Sequence, residues 1–175
     1  MKTFLFLIAA VSLPLSLQAE PSGETKSTER VAFSQSCFWT GEMKLGRIDG
    51  VVRTEAGFFQ GHEVTLVDYD PKRISLEDLV RRARQAGVAD RIHLDIAKSS
   101  GGASIGGVAA GAALDHSYRA APPSDQKKQL EGTQYERLQL TPEQATKVNA
   151  FARSNPAKAA EWLAPAQRAD LAASR

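Results

Sequence analysis

One cysteine stands among 175 residues, and that scarcity is the first constraint the chain imposes. A single thiol closes no internal disulfide, so Cys37 is either a packed, inert side chain or a reactive one. Histidine is nearly as scarce. His62, His93 and His116 show no ligand spacing with Cys37, and all-protein metal sites recruit several such groups, so no metal is expected. Excess charge of one sign is also missing. The chain carries 22 Lys and Arg against 20 Asp and Glu, and the basic residues are scattered among acids, as in Arg81, Arg82 and Arg84 after Glu77 and Asp78. Nucleic-acid binding is therefore not expected. The apolar run over 4–11 is well short of the ~20 residues that span a bilayer, so no stable membrane insertion is expected either. Gly101-Gly102 and Gly106-Gly107 lack the lysine and hydroxyl of a phosphate-binding loop.

What is present begins with a leader. Met1-Lys2 is a short basic start, the apolar run follows, and Leu17-Gln18-Ala19 ends in a small residue. The pattern predicts a secretory signal peptide over 1–19, with no cysteine at the cleavage point for lipid attachment. The expected localisation is exported, periplasmic or secreted, and 156 residues with a formal charge of +1 would remain, enough for one domain with a real core. An exported chain with one thiol points to reactivity or to intermolecular pairing.

After a polar lead-in over 20–30, the pattern predicts strands at 31–34, 51–58, 63–69 and 91–96. Helices are expected at 38–45 and from the Ser75 cap to Gly87, the latter with an apolar face of Leu76, Leu79, Val80 and Ala83. The order βαββαβ predicts an α/β fold of the ferredoxin-like, split-βαβ kind, a two-layer sandwich of antiparallel sheet and helices. Residues 99–111, rich in Gly, Ala and Ser, are expected to form a flexible or partly helical insert. Thr141-Pro142-Glu143-Gln144 opens a further helix, and a helical C-terminal tail follows.

Cys37 falls where the first strand gives way to the first helix. Unpaired backbone N–H groups and the positive end of the helix dipole favour a thiolate there. Phe38 and Trp39 come next, able to wall a pocket for a methylthio group or to serve as core.

Ser36-Cys37-Phe38-Trp39-Thr40 resembles the Gly-Cys-Phe-Trp-Gly signature of the A-type peptide methionine sulfoxide reductases. Four further stretches are similar to the family in the family's order: Gly50-Val51 to Gly57-Phe58, Tyr69-Asp70-Pro71 with Ile74-Ser75, Gly132-Thr133-Gln134-Tyr135, and Leu140 to Gln144. The resemblance implies a thiol-dependent oxidoreductase that reduces methionine sulfoxide, free or peptide-bound. It implies a catalytic set of Cys37 as nucleophile, Glu63 as the family-matched acid and Tyr135 as a hydroxyl near the sulfoxide oxygen, with Phe38 and Trp39 binding substrate. The residues alone leave Tyr135 open as a core tyrosine and Glu63 as a solvated or locally paired acid. Glu42, one helical turn after Cys37, is a second candidate acid.

No bound cofactor is implied. With no resolving cysteine, an external thiol reductant, a thioredoxin-like protein or a small thiol, must restore Cys37; the expected partners are that reductant and oxidised methionine or a protein containing it. The sequence departs from the family at Ser36, Thr40 and Leu130 and in the short connection from Gly57 to Glu63. The division that follows is an MsrA-like domain at 31–153, carrying a Gly-rich insert at 97–115, and a helical extension at 154–175. The alternatives are a non-enzymatic exported binding module, or a thioredoxin-like thiol/disulfide exchange protein using Cys37.

Overall fold

The computed structural model describes residues 27–98 and 103–173. The expected leader at 1–19 and the Gly101-Gly102 pair lie outside the described residues. The chain runs β1 (Glu29–Ser34), α1 (Phe38–Gly46), β2 (Val51–Phe59), β3 (His62–Tyr69), α2 (Leu76–Gln85), β4 (Arg91–Leu94), β5 (Ser104–Ile105), β6 (Val108–Ala109), β7 (Arg119–Ala120), α3 (Pro142–Phe151), α4 (Pro156–Ala160) and α5 (Pro165–Ala173). The fold is α/β, with a mainly antiparallel sheet. The four strands expected from the sequence share one five-stranded sheet, in the order β4-β1-β3-β2-β7.

Local chemistry explains the register. β2 and β3 are joined by Gln60-Gly61, both at positive φ (50° and 80°), the geometry of a two-residue turn whose twist matches an antiparallel hairpin. That turn pairs Phe59 with His62 and Phe58 with Glu63. Alternation then sorts the side chains. Val31 and Phe33 of β1 and Val67 and Tyr69 of β3 pack with Leu45, Leu79, Val80 and Ala83 beneath α1 and α2. Ala32, Val64, Leu66 and Phe59 pack on the opposite face under Leu114 and Tyr118.

The Gly-rich segment departs from expectation. Its described part is a β-hairpin, β5 with β6, and not a helix. The hairpin lies on α2, where a Cβ at Gly106 would stand 2.8 Å from the Glu77 carbonyl oxygen and 2.9 Å from the Arg81 nitrogen. The glycine permits that approach as well as its positive φ. The chain then forms parallel bridges from Ala110 to Ile92 of β4 and from Leu114 to Asp95 just after it, crosses the outer face and pairs with β2 as β7. β4 itself ends at Leu94, two residues earlier than the pattern predicts, and a 3-10 turn (Ile96–Lys98) follows.

α3 begins with a full capping box: the Thr141 hydroxyl accepts from the Gln144 N–H, and the Gln144 side chain accepts from the Thr141 N–H. It crosses α1 closely at Gly46, where a Cβ would stand 2.9 Å from the Thr146 carbonyl oxygen. Lys147, 2% exposed, donates from Nζ to the carbonyls of Gly46 and Ile48, both at 2.9 Å, which satisfies backbone oxygens at the end of α1. Burial lowers its pKa to about 8. Val148 and Ala152 of α3 pack with Ala159, Leu163 and Leu171, so the helices after residue 154 share a core with α3.

Candidate thiol site

β1 delivers the chain to the open end of the sheet, and Cys37 is the N-cap of α1, in extended conformation with φ −152° and ψ 111°. Its side chain makes no capping hydrogen bond and is half-buried. A side chain from another strand takes the capping role. Glu63, the second residue of β3, accepts from the Phe38 N–H through Oε2 at 2.8 Å. A carboxylate at a helix N-terminus meets both an orphan donor and the positive end of the dipole. Glu63 and Cys37 thus converge on the same first turn of α1.

Helix α1 is held close to the sheet there. A Cβ at Gly41 would collide with the Thr65 hydroxyl and stand 3.0 Å from the Gln35 amide, and Thr65 Oγ1 donates to the Phe38 carbonyl at 3.4 Å. The absence of a side chain at Gly41 is what lets the first turn reach β3.

The aromatics form a wall beside the thiol's turn. Phe38 packs on Ala56 and Ala121 and meets Phe58 edge-on at 5.4 Å and Trp39 at 5.9 Å. Phe38 is 5% exposed and acts mainly as core, whereas Trp39 and Phe58 are half-buried. Sequence reasoning missed Phe58. Its signal was available: it is the cross-strand partner of Glu63, so both side chains project to the α1 face. The Lys128 ammonium lies 5.4 Å from the centre of the Trp39 ring, and the indole N–H has no acceptor among the described residues.

Two candidates lie elsewhere in this structure. Tyr135 is 1% exposed and packs in the α3–α5 core, with its hydroxyl donating to the Pro156 carbonyl at 2.6 Å. That placement makes it a core tyrosine whose proton is already committed. Glu42, one helical turn after Cys37, is 0% exposed. Its carboxylate accepts from the Lys127 N–H at 2.7 Å, forms an ion pair with Lys127 Nζ and accepts from the Thr54 hydroxyl at 3.4 Å. It fastens the segment that carries Gln126 and Lys128 over α1, and it has no open side from which to donate a proton. Gln126 completes that fastening by bonding both the N–H and the carbonyl of Ala56.

Among the described residues no three His, Cys, Asp or Glu side chains gather as a metal site, and no helix is long and apolar enough to cross a membrane. What stands at the start of α1 is a half-buried thiol and a carboxylate on the next N–H, beside aromatic rings.

Comparison with known proteins finds similarity over part of the chain. Over 75 residues the chain is 36% identical to the peptide methionine sulfoxide reductase MsrA of Geobacter metallireducens, covering 33% of this chain and 46% of the relative. It is 31% identical over 74 residues to a peptide methionine sulfoxide reductase of Fragaria ananassa, covering 33% and 39%. With MsrA 1 of a Nostoc species it shares 32% over 69 residues, covering 30% and 42%. The chain is MsrA-like over about a third of its length, and it spans less than half the length of these curated relatives. No family profile matches it.

Proposed function

We propose that the protein is an exported methionine sulfoxide reductase that works through the single thiol of Cys37. The observation that carries the reading is the Glu63 carboxylate on the Phe38 N–H, which sets an acid beside the nucleophile at one helix start. Similarity to MsrA relatives supports the substrate class. The order β4-β1-β3-β2, with α1 and α2 packed on one face, supports the split-βαβ reading of the fold.

In this mechanism Trp39 and Phe58, backed by Phe38, hold the S-methyl group against their ring edges. The Cys37 sulfur attacks the sulfoxide sulfur while a proton passes to the oxygen by way of Glu63. The oxygen leaves on Cys37 as a sulfenic acid and the thioether, methionine, departs. One equivalent of external thiol condenses with the sulfenic acid to give a mixed disulfide and water. A second releases Cys37 as thiol and carries away the disulfide. No bound cofactor takes part. In this reading proton delivery rests on Glu63, whose carboxylate accepts from the Phe38 N–H.

The test incubates the protein with methionine sulfoxide, both epimers, free and in a peptide, with and without a dithiol. Methionine should form with the dithiol, and Cys37 should gain one oxygen by mass when the dithiol is withheld. Cys37→Ser should abolish both, and Glu63→Gln should slow turnover by roughly 10²–10⁴-fold, the usual range for a placed acid. If no methionine forms and Cys37 is not oxidised with any substrate form, the reading is wrong and a binding role for the thiol replaces it.

A further inference from the structure

On the sheet face opposite α1 lies a second constellation that the thiol chemistry does not use. Ser34 Oγ and His93 Nε2 are 2.7 Å apart, and His93 Nδ1 is 2.8 Å from the Ala112 carbonyl oxygen. A carbonyl only accepts, so Nδ1 carries the imidazole proton and Nε2 is left to accept from the serine hydroxyl. Nucleophile, base and orienting group are therefore connected in the order that activates a hydroxyl.

The ring is fixed from three sides. Phe59 meets it edge-on at 5.0 Å, the Ala112 carbonyl holds Nδ1, and Gly111 passes so close that a Cβ there would stand 2.5 Å from Cε1. Burial lowers the pKa of His93, the Ala112 carbonyl opposes that shift, and the neighbouring Arg91 adds to it.

A core pair would have no route to solvent. Ser34 and His93 instead line an open cleft of about 590 Å³ together with Arg91, Gln35 and Ser36, and Glu63 borders the same cleft. Ser34 and Arg91 are cross-strand partners of β1 and β4, so the hydroxyl and the guanidinium project from the same face. A positive charge on the same face as the serine can reach an oxyanion developing on an attacked carbonyl.

We propose that Ser34, His93 and Arg91 form a second catalytic site, one that hydrolyses small carboxylic esters. Ser34 Oγ bonds to the ester carbonyl carbon as its proton passes to His93 Nε2, and the resulting oxyanion faces Arg91. The carbon–oxygen bond to the alcohol breaks, and the alcohol leaves with the proton from His93. Water then adds to the acyl-serine, giving a proton to His93. The acid departs and Ser34 recovers its hydrogen, so ester and water become acid and alcohol.

The experiment uses the full chain carrying Cys37→Ser, which removes thiol attack on the ester. Hydrolysis of p-nitrophenyl acetate is followed, and a fluorophosphonate probe is mapped by peptide mass. The expected result is multiple turnover that falls at least about 10²-fold in added Ser34→Ala or His93→Gln, with the probe on Ser34. Thermal melts of the two variants show whether they fold. A variant that does not fold leaves the probe mapping on the parent protein as the deciding measurement. No turnover, turnover insensitive to both substitutions, or a probe found on another residue overturns the assignment. None of these outcomes bears on Cys37, whose chemistry is read separately by sulfoxide turnover in the unsubstituted chain.

Discussion

Replacing Lys147 with Met should change how stability depends on pH, and the size of the change follows from where the ammonium sits. Lys147 is 2% exposed and bonds two carbonyls at the end of α1, the helix whose other end carries Cys37. Burial brings its pKa down from 10.5 to about 8. Below pH 8 both folded and unfolded chains hold the proton, and the cost of burying the cation is present in full. Between about 8 and 10.5 the unfolded chain holds the proton and the folded chain has released it, so raising the pH favours the folded state. At about 1.4 kcal/mol per pK unit, this group adds roughly 3 kcal/mol of stability across that window. The tyrosines oppose the trend at its upper end. Burial and the carboxylate of Glu29 raise the pKa of Tyr69, and burial and Glu55 raise that of Tyr118. The difference between proteins isolates the lysine. Urea unfolding at pH 7, 8, 9 and 10 should show the native protein gaining on Lys147→Met by roughly 1 kcal/mol per pH unit above 8. Parallel stability curves for the two proteins would refute the buried-cation account.

Lys127→Met strands the fully buried Glu42 carboxylate, and removing one partner of a buried pair typically costs about 3–5 kcal/mol; denaturant melts at pH 7 should show that loss, and Glu42→Gln in the same background should recover part of it. Thr141→Ala removes the capping-box oxygen of α3 and should cost about 1 kcal/mol by the same measurement. Gly111→Ala drives a methyl group into the His93 ring and should destabilise by roughly 1–3 kcal/mol; a thermal midpoint equal to that of the parent would show that the crossing strand is free to move.

Much of this architecture was written locally. Alternating apolar residues placed β1, β2 and β3, and Gln60-Gly61 set the hairpin between them, because a strand's period and a turn's φ requirement are properties of a few adjacent residues. Ser75 and Thr141 marked two helix starts by the same logic: each side chain reaches a backbone N–H only three residues away. Cys37 at the start of α1 was legible for this reason, as was its neighbourhood with Phe38 and Trp39.

Partners distant in sequence were not. Glu42 looked like an acid free to serve the thiol until the chain, 85 residues later, brought Lys127 onto it. Tyr135 matched a motif, yet it packs with residues of α3, α4 and α5 and its hydroxyl donates to the Pro156 carbonyl. The Gly-rich segment suggested a loose insert, but Gly106 and Gly111 serve close approach to α2 and to His93, which only packing reveals. Ser34 and His93 lie 59 residues apart and meet because β1 and β4 are neighbours in the sheet. The sequence by itself determined β1 to β3, the main helices, their caps and the position of Cys37 at the start of α1, since those depend on short-range sterics and hydrogen bonding. Tertiary structure alone decided which carboxylate bonds the first turn of α1, which tyrosine is core and which serine meets a histidine, because each depends on strand order and helix docking, and these emerge only when the whole chain buries its apolar surface at once.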